Sequence, residues 1–307
     1  MNYKKIFKNK KLRFAILSLL KFIPDKQMLK IQYRIKTGRK LDLRNPERWT
    51  EKIQWYKLYY KDELMRKCAD KYTVREYIKE KGYEHLLNDI YEVYMAPEEI
   101  SINNLPNKFI LKLSNGSSTN IVCEDKETLN IAEVRNKFRD FVKQASSSAG
   151  REWVYSGGTP RIIAERFLDD PADDNFELID YKIFCFNGEP EYTICVGGRH
   201  TDSYHHVVYD SVWNKVSVEI GTTPANADYD LGDKFFEMMD IARTLSKDFP
   251  AVRVDLYLVK DKIYFGELTF FPWSGYMDFT PDEFDFELGS KFVLPKKNIL
   301  QEENEFL

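Results

Sequence analysis

The chain has 307 residues, of which 43% are apolar and 31% charged, a balance that excludes disordered and collagen-like chains. Its length allows one large domain or two small ones with a sizeable core. No apolar run approaches the roughly 18 residues of a membrane span. The four cysteines form no Cys-x-x-Cys pair, which favours a reduced, cytosolic compartment over a disulfide scaffold; they are Cys68, Cys123, Cys185 and Cys195.

The charge is distributed unevenly along the chain, although the formal net charge is only −3. Residues 1–40 contain 13 Lys or Arg and one acid, Asp25, which gives +12. The remaining residues contain 33 basic and 48 acidic side chains, which gives −15. A cationic segment therefore precedes an acidic body. On charge alone, this segment suits nucleic acid and membrane surfaces equally well.

Within the cationic segment, residues 12–23 form a short apolar run, LRFAILSLLKFI. On a helix, most apolar side chains of residues 6–23 fall on one side, which is typical of an amphipathic helix that lies on a surface. A helix docked on the protein's own body is an equal alternative. A secretory signal is disfavoured, because Arg13 and Lys21 interrupt the run and no small-residue cleavage site follows it.

The pattern over residues 49–90 predicts helices, one of which ends at Gly82. From residue 105 onward the pattern changes to short β-rich runs. Strands are predicted at residues 109–113 and 161–168. A small-residue loop at 114–120 and a helix at 130–144 lie between them.

The second half of the chain shows two hairpin patterns separated by an amphipathic helix at 233–249. The first covers residues 178–196 around Asn187-Gly188, a strong signal for a type I′ turn. The second joins residues 252–259 to residues 263–270. This order of elements indicates an α+β fold with largely antiparallel sheets.

In the second hairpin, the length of the turn decides whether two acidic side chains meet. A two-residue turn at 260–261 places Asp255 opposite Gly266, whereas a three-residue turn places Asp255 opposite Glu267. Opposed carboxylates repel each other unless a cation lies between them, and Mg²⁺ or Mn²⁺ suits such oxygen ligands. From spacing alone, an ordinary hairpin with solvated acids is favoured.

Other polar positions are ambiguous on their own. The loop after Lys112 lacks the Gly-Lys-Ser/Thr of a Walker A sequence, so it is either a phosphate-binding loop or a plain turn. Glu165 either accepts a hydrogen bond from the amino group of a base or forms an ion pair. Lys182 either reaches phosphate or extends its charged end to solvent. The sequence also offers three histidines in a turn-like segment that make no convincing metal site: His200, His205 and His206.

The chain carries a series of short motifs in a fixed order. They are Leu43-x-x-Pro46, Glu51-Lys52-Ile53-Gln54-Trp55, Asp70-Lys71-Tyr72, Lys112 before the Gly116 loop, Ile163-x-Glu165, Asp180-Tyr181-Lys182, Phe186-Asn187-Gly188, Tyr209-Asp210-x-x-Trp213, Arg253-Val254-Asp255 and Phe265-Gly266-Glu267-Leu268-Thr269. In this order they resemble the TupA-like branch of the ATP-grasp superfamily, over about residues 41–295. Each motif is weak alone, whereas the ordered series is specific.

The resemblance implies an ATP site with a divalent metal ion, Mg²⁺ or Mn²⁺. It therefore favours the three-residue turn of the second hairpin, which places Asp255 opposite Glu267. The residues implied for phosphates are Lys112, Lys182 and the loop of Asn115, Gly116, Ser117 and Ser118. Those implied for adenine and ribose are Glu165, Arg166, Phe167 and Leu168, followed by Asp169 or Asp170. The implied metal ligands are Asp255, Glu267 and Thr269, where Thr269 replaces the Asn of many ATP-grasp enzymes. The implied catalytic residues are Arg253 and Lys182.

The resemblance also implies a domain plan. A basic segment at 1–40 and a helical region at 41–105 would precede two α+β ATP-grasp subdomains, at 106–168 and 169–307. The two subdomains would clasp ATP between them.

The activity implied is that of an ATP-dependent carboxylate–amine ligase that acts through an acyl phosphate. Its substrate would be a small molecule or a glycan in capsular or cell-surface polysaccharide biosynthesis. A glycosyltransferase and a kinase of a sugar or lipid hydroxyl are the alternatives.

Nucleic acid is disfavoured as a partner, because no aromatic–basic strand pattern is present. We expect a cytoplasmic enzyme whose residues 1–40 contact the anionic inner face of the membrane or an acidic glycan acceptor.

Overall fold

The fold is that of a computed structural model, which describes residues 20, 22–145, 150–170, 172–173, 176–199, 201–223 and 226–298. The helices are α1 (Asp25–Thr37), α2 (Trp49–Tyr59), α3 (Glu63–Ala69), α4 (Val74–Glu80), α5 (Ile131–Ala145), α6 (Lys234–Ser246) and α7 (Glu283–Lys291). The strands are β1 (Ile90–Tyr94), β2 (Phe109–Leu113), β3 (Asn120–Cys123), β4 (Ile162–Arg166), β5 (Asp180–Phe186), β6 (Glu189–Gly197), β7 (His205–Asp210), β8 (Lys215–Val216), β9 (Glu219–Ile220), β10 (Ala251–Val259), β11 (Lys262–Thr269) and β12 (Phe279–Thr280).

The strands of the described ranges form antiparallel sheets. The largest has six strands in the order β11-β10-β5-β6-β7-β8, and a second has four in the order β1-β4-β2-β3. A short pair, β9 and β12, completes the set. Helices pack on both larger sheets, so the predicted α+β fold with antiparallel sheets is confirmed.

The six-stranded sheet is centred on β5 and β6, which are joined by the predicted turn. Asn187 (φ 54°) and Gly188 (φ 86°) both have left-handed backbone angles, as a type I′ turn requires. On one face, α6 packs with almost fully buried side chains such as Met238 and Leu245. Because side chains alternate along a strand, Cys185 contacts α6 whereas Lys182 projects from the opposite face.

The opposite face of this sheet is divided between a helix and a polar surface. At one end α2 covers it, with the ring of Trp49 packed edge-on against Phe184 at 5.8 Å between centroids. Tyr56, further along α2, packs in the same way against Phe271 at 5.8 Å. The helical region therefore shares one hydrophobic core with the six-stranded sheet and closes one end of its polar face.

The four-stranded sheet has a separate core beneath α5. Along β2, Phe109, Leu111 and Leu113 alternate inward and pack with Phe138 of α5. The strand predicted at 109–113 and the helix predicted at 130–144 are therefore confirmed. Within the range 41–105, expected to be helical, β1 instead forms the edge of this sheet and pairs with β4.

Helix α1 docks on the body through one of its faces. Leu29 and Tyr33 are fully buried, and the Tyr33 hydroxyl shares a hydrogen bond of 2.9 Å with Oγ1 of Thr50. This part of the cationic segment is thus docked, whereas the surface helix predicted within residues 6–23 lies almost wholly outside the described residues. Across the part of the chain that the structure covers, every helix is too short or too polar to span a membrane.

The β10–β11 hairpin corrects the predicted turn length. Val259 pairs with Lys262, so the turn has two residues and not three. A β-bulge at Gly266 then adds one residue to β11, and Asp255 lies opposite Glu267 all the same. Sequence spacing could not reveal this, because a bulge shifts the register without any change in the turn.

Candidate active site

Three neighbouring strands place charged side chains on the polar face of the six-stranded sheet. Asp255 of β10 lies opposite Lys182 of β5 on one side and opposite Glu267 of β11 on the other. Asp180 and Arg253 share this face, because alternate residues of a strand point the same way. Except for Glu267, each of these side chains belongs to a residue less than a tenth exposed, so their charges interact strongly.

Lys182 is held between two carboxylates. Its Nζ lies 2.5 Å from Oδ2 of Asp255 and 2.7 Å from Oδ2 of Asp180. Arg199 donates a further hydrogen bond to the same oxygen of Asp180. Oδ1 of Asp180 is buried and has no partner among the described residues. One hydrogen-bond acceptor of this ion cluster is therefore without a donor among the described residues.

Arg253 forms a forked pair with Asp255. Its Nε and Nη2 donate to the two carboxylate oxygens, each at 2.6 Å. Nη2 also donates to Oγ1 of Thr269 at 3.0 Å. Nη1 makes no hydrogen bond within the described ranges, so this nitrogen is the part of the guanidinium that remains for a ligand.

Glu267 is surrounded by cations. Nζ of Lys71 lies 3.3 Å from its Oε2, and Nη2 of Arg253 lies 3.3 Å from its Oε1. Burial by itself raises the pKa of this carboxyl, but the charges of Lys71, Arg253 and Lys182 together bring the pKa well below its usual range. Glu267 is therefore ionised at neutral pH.

Lys71 links this cluster to the four-stranded sheet. Its Nζ also donates to the carbonyl oxygen of Gly116, at 2.9 Å, in the loop after β2. The Lys71 amide donates to the Ser114 carbonyl oxygen at 2.8 Å, and the Ser114 hydroxyl donates to Asp70 at 2.6 Å. The turn between α3 and α4 therefore anchors the predicted phosphate loop and places a cation between it and Glu267.

The loop itself presents both buried and accessible polar groups. Oδ1 of Asn115 is buried without a partner in the described part of the chain. Ser117 and Ser118 are exposed, and Ser118 has a left-handed φ of 56°. Gly116 is buried between them and Lys71. The loop thus has exposed hydroxyl groups on one side and a fixed backbone on the other.

Lys112 pairs with Glu165, the acid predicted at the adenine hinge. Nζ of Lys112 lies 2.7 Å from Oε2 of Glu165. Both line a narrow cavity between the two larger sheets, together with Leu168. Tyr257 of β10 and Gly266 of β11 form its other side. The structure thus brings these three predicted residues together around one cavity.

The remaining predicted hinge residues lie towards the surface. Asp170 pairs with Lys260 of the β10–β11 turn at 3.0 Å, and Asp169 lines the surface cleft beside that turn. Arg166 is exposed and Phe167 is half-buried. These four residues are therefore apart from the carboxylate cluster on the sheet face.

The candidate metal ligands are oxygen donors on one sheet face. In the described ranges, no group of three or more His, Cys, Asp or Glu side chains is arranged to hold a metal ion. Magnesium in nucleotide enzymes usually binds one or two carboxylates and completes its shell with phosphate oxygens and water. Asp255, Glu267 and Thr269 fit that pattern, since a carboxylate has about four lone-pair positions and not all are used here.

The histidines are not among these candidate ligands. His200 lies outside the described residues, and His205 is hydrogen-bonded to a backbone carbonyl oxygen at 2.7 Å. Nε2 of His206 bonds to the Tyr204 hydroxyl at 2.8 Å, while its buried Nδ1 has no partner in the described part of the chain. Burial and the nearby charge of Arg199 lower the pKa of His206 to about 4, so its ring is neutral at pH 7.

A strained turn after β11 lies next to Arg253 and His206 at the candidate site. Trp273 (φ 46°) and Ser274 (φ 59°) adopt left-handed angles that residues with side chains seldom use. Lys57 of α2 holds the turn by donating to the Ser274 carbonyl oxygen at 2.8 Å. Burial lowers the pKa of Lys57 to about 8. The turn places the Trp273 ring 5.0 Å from the Arg253 guanidinium and 6.2 Å from the His206 ring.

Comparison with protein-family profiles matches residues 51–293 to the family described as TupA-like ATPgrasp. The chain belongs to the TupA-like ATP-grasp family. The resemblance found in the sequence motifs is thereby confirmed, and the two larger sheets of this TupA-like protein are the sheets of an ATP-grasp fold.

Several solved structures are similar to the TupA-like chain. They include D-alanine–D-alanine ligase from Bacillus anthracis complexed with ATP (14% identity, TM-score 0.37, 66% of this chain and 53% of that chain), L-amino acid ligase from Bacillus licheniformis (15%, 0.39, 68% and 42%) and D-cycloserine synthetase (13%, 0.39, 68% and 64%). The chain spans about half the length of the first two. Comparison with curated protein sequences returned no match.

Some residues of the site were absent from the predicted set. Lys71 carried a signal in the motif Asp70-Lys71-Tyr72, but no role was inferred for it. Asp180 stands two positions before Lys182 on the same strand face, which was the available signal. Trp273 gave none, because its position depends on left-handed backbone angles.

Proposed function

We propose that this TupA-like protein is an ATP-dependent carboxylate–amine ligase that activates its acid as an acyl phosphate. The observation that carries the proposal is the position of Lys71, which bonds to the Gly116 carbonyl oxygen and pairs with Glu267. A cation, a small-residue loop and a candidate carboxylate ligand thus converge between the two sheets. Such a convergence suits the terminal phosphates of ATP, and membership of an ATP-grasp family supports ATP as the nucleotide.

The balance of charge also supports a polyanionic ligand. Three carboxylates and four cations surround the site; they are Asp180, Asp255, Glu267, Lys71, Lys182, Arg199 and Arg253. The cluster therefore has a net positive charge before any ligand binds. A site of this sign favours a nucleotide–metal complex over a lone cation.

We assign the nucleotide to the cavity of Lys112, Glu165 and Leu168, with its phosphates towards Lys71 and residues 115–118. Asp255, Glu267 and Thr269 would hold Mg²⁺ or Mn²⁺. A divalent ion in such a site offsets phosphate charge and polarises the group transferred.

The reaction requires an activated acid, because a carboxylate is a poor electrophile at neutral pH. Transfer of the terminal phosphoryl group to the acid yields ADP and an acyl phosphate. An amine then attacks the carbonyl carbon, the bond to phosphate breaks, and an amide and inorganic phosphate result. Arg253 would bind the acid through Nη1, and Lys182 would neutralise the carboxylates beside it.

The biological setting forms part of the proposal. We infer that the acid is a uronic acid or an amino acid carboxylate, and that the enzyme serves capsular or cell-surface polysaccharide biosynthesis in the cytoplasm. Membership of the TupA-like family is the support for this setting.

The test combines ATP, Mg²⁺, hydroxylamine and a panel of uronic acids and amino acids. Hydroxylamine converts an acyl phosphate into a hydroxamate, which mass spectrometry detects. We expect acid-dependent ADP and hydroxamate from the wild type and neither from Asp255→Asn. The matched control is Asp261→Asn, which removes an exposed acid from the turn of the same hairpin and should behave as wild type.

Other outcomes would favour the other activities. ADP with a phosphorylated hydroxyl compound and no hydroxamate would indicate a kinase. Thermal stabilisation by a nucleotide sugar but not by ATP would indicate a glycosyltransferase. Absence of acid-dependent ADP across the panel, with Asp255→Asn equal to wild type, would contradict the ligase proposal.

A further inference from the structure

Helix α1 has a second apolar face that does not contact the body. Leu29 and Tyr33 are buried on its inner side, yet Ile31 and Ile35 lie one turn apart on the outer side, 46% and 50% exposed. Phe22, just before the helix, is 81% exposed. A helix that only docks on its own protein needs a single apolar face. The apolar side chains on the outer side are therefore available to bind something other than the protein's own body.

The outer side of α1 is also basic. Lys26, Lys30 and Arg34 recur at every fourth position, so they lie in one row beside Ile31 and Ile35. Within the described residues none of the three forms an ion pair, and Arg34 donates only to a backbone carbonyl oxygen. We call Phe22, Lys26, Lys30, Ile31, Arg34 and Ile35 the outer face of α1.

The acids near this helix do not neutralise the outer face. Asp25, at the first position of α1, is paired with Arg151 of the body. Elsewhere on the surface, an exposed apolar residue of α6 stands beside a satisfied charge. Phe236, 66% exposed, follows Lys234, which pairs with Glu237. Apolar side chains beside unpaired cations thus distinguish the outer face of α1 from such positions.

We propose that the outer face of α1 binds an anionic lipid surface. Its apolar side chains would enter the boundary between headgroups and acyl chains, while its three cations contact lipid phosphates. Charge complementarity favours this occupant. Residues 41–307 carry a net charge of −15 and are repelled by the same surface, so attraction acts through the cationic end of the chain.

The test is co-sedimentation of the full chain with vesicles. We expect binding to mixed phosphatidylcholine–phosphatidylglycerol vesicles, no binding to phosphatidylcholine alone, and weaker binding as salt is added. Lys26→Gln with Lys30→Gln should lower the partition coefficient by about 30-fold, since each near-surface cation contributes about fivefold. Ile31→Gln with Ile35→Gln should weaken binding while leaving its salt dependence unchanged.

Two controls match these variants in chemistry and exposure. Lys137→Gln with Lys143→Gln removes two exposed cations from α5. Val212→Gln with Phe236→Gln removes two exposed apolar side chains, 69% and 66% exposed. Both control variants should bind mixed vesicles as the wild type does. Thermal unfolding should be the same for all four variants, because every substituted position is exposed.

Equal vesicle binding by wild type and both α1 variants would assign the interaction to other residues and overturn the proposal. An equal loss in the control variants would show a general charge or hydrophobic effect and would also overturn it. If the wild type ignores mixed vesicles altogether, the proposal is wrong and the outer face is better suited to an acidic protein. No arm uses ATP or an acid substrate, so the result is independent of the proposed ligase activity.

Discussion

Asp255 lies directly opposite Glu267 across β10 and β11, although the turn between these strands has only two residues. The bulge at Gly266 supplies the extra residue that brings the two carboxylates to the same position. A Cβ atom on Gly266 would lie 2.9 Å from the Asp255 carbonyl oxygen and 2.9 Å from the ring of Tyr257. The alignment of the carboxylates therefore depends on a residue without a side chain.

Gly266→Ala should lower the free energy of unfolding by about 1–3 kcal/mol, because the added methyl group forces backbone and ring apart. Urea denaturation measures this change. Gly158→Ala is the control, since a Cβ there has nothing within 4 Å. Its effect should stay within about 0.5 kcal/mol. Equal stability of the two variants would show that β11 absorbs the methyl group without cost.

Lys71→Met should weaken ATP binding by about tenfold or more, because it removes a charged donor from the proposed phosphate site. Calorimetric titration with ATP, with and without Mg²⁺, measures the affinity. Lys67→Met, one turn earlier, is the control, because Lys67 pairs with Glu76 and Glu80 on the surface. Matching affinities for the two variants would remove Lys71 from the nucleotide site.

His206 should make the stability of the protein depend on pH between about 4 and 6.5. Its pKa is about 4 in the folded protein against 6.5 ordinarily, so the unfolded chain binds a proton first as the pH falls. The contribution is complete above pH 6.5 and is lost towards pH 4. Urea unfolding of wild type and His206→Phe over this range should show the steeper decline in the wild type. Parallel curves would mean that His206 titrates normally.

Lys57 should make the stability of the protein depend on pH in the alkaline range. Unlike neutral His206, the charged Lys57 should destabilise the folded protein at neutral pH. Its folded pKa of about 8 lies below the ordinary 10.5, so the buried ammonium opposes folding below pH 8. Relative to Lys57→Met, the wild type should therefore gain stability as the pH rises from 8 to 10.5. Denaturation curves of both proteins at these pH values measure the gain. A constant difference would indicate a Lys57 ammonium that is not shifted.

Local chemistry explains which elements the sequence predicted. The Asn187-Gly188 turn was predictable because its backbone angles are a property of those two residues. The bulge at Gly266 was not, because a bulge is a property of the pairing between two strands and not of the turn residues. The strand positions in the second hairpin were thus predicted well and the turn length was not.

The candidate site divides in the same way. The motifs predicted Lys112, Asp255 and Glu267 as site residues. Each of them lies on a strand that the sequence pattern also predicts, so its position follows from local sequence. Lys71 depends on a contact with Gly116, 45 residues further along the chain, which no local pattern reveals. The strained turn at Ser274 depends on Lys57, 217 residues earlier. Long-range contacts of this kind require the folded structure.

Lys71 reaches the Gly116 loop and Glu267 from a turn that precedes both of them in the chain. The helical region is therefore not an exchangeable module. A truncated protein that begins at β2 would lose one wall of its own ion cluster. A chimera between relatives would have to inherit Asp70, Lys71 and Ser114 from one parent, because their hydrogen bonds form a matched set. A join placed between α4 and β2 would take Asp70 and Lys71 from one parent and Ser114 from the other, so recombination there should succeed only where both parents carry these residues.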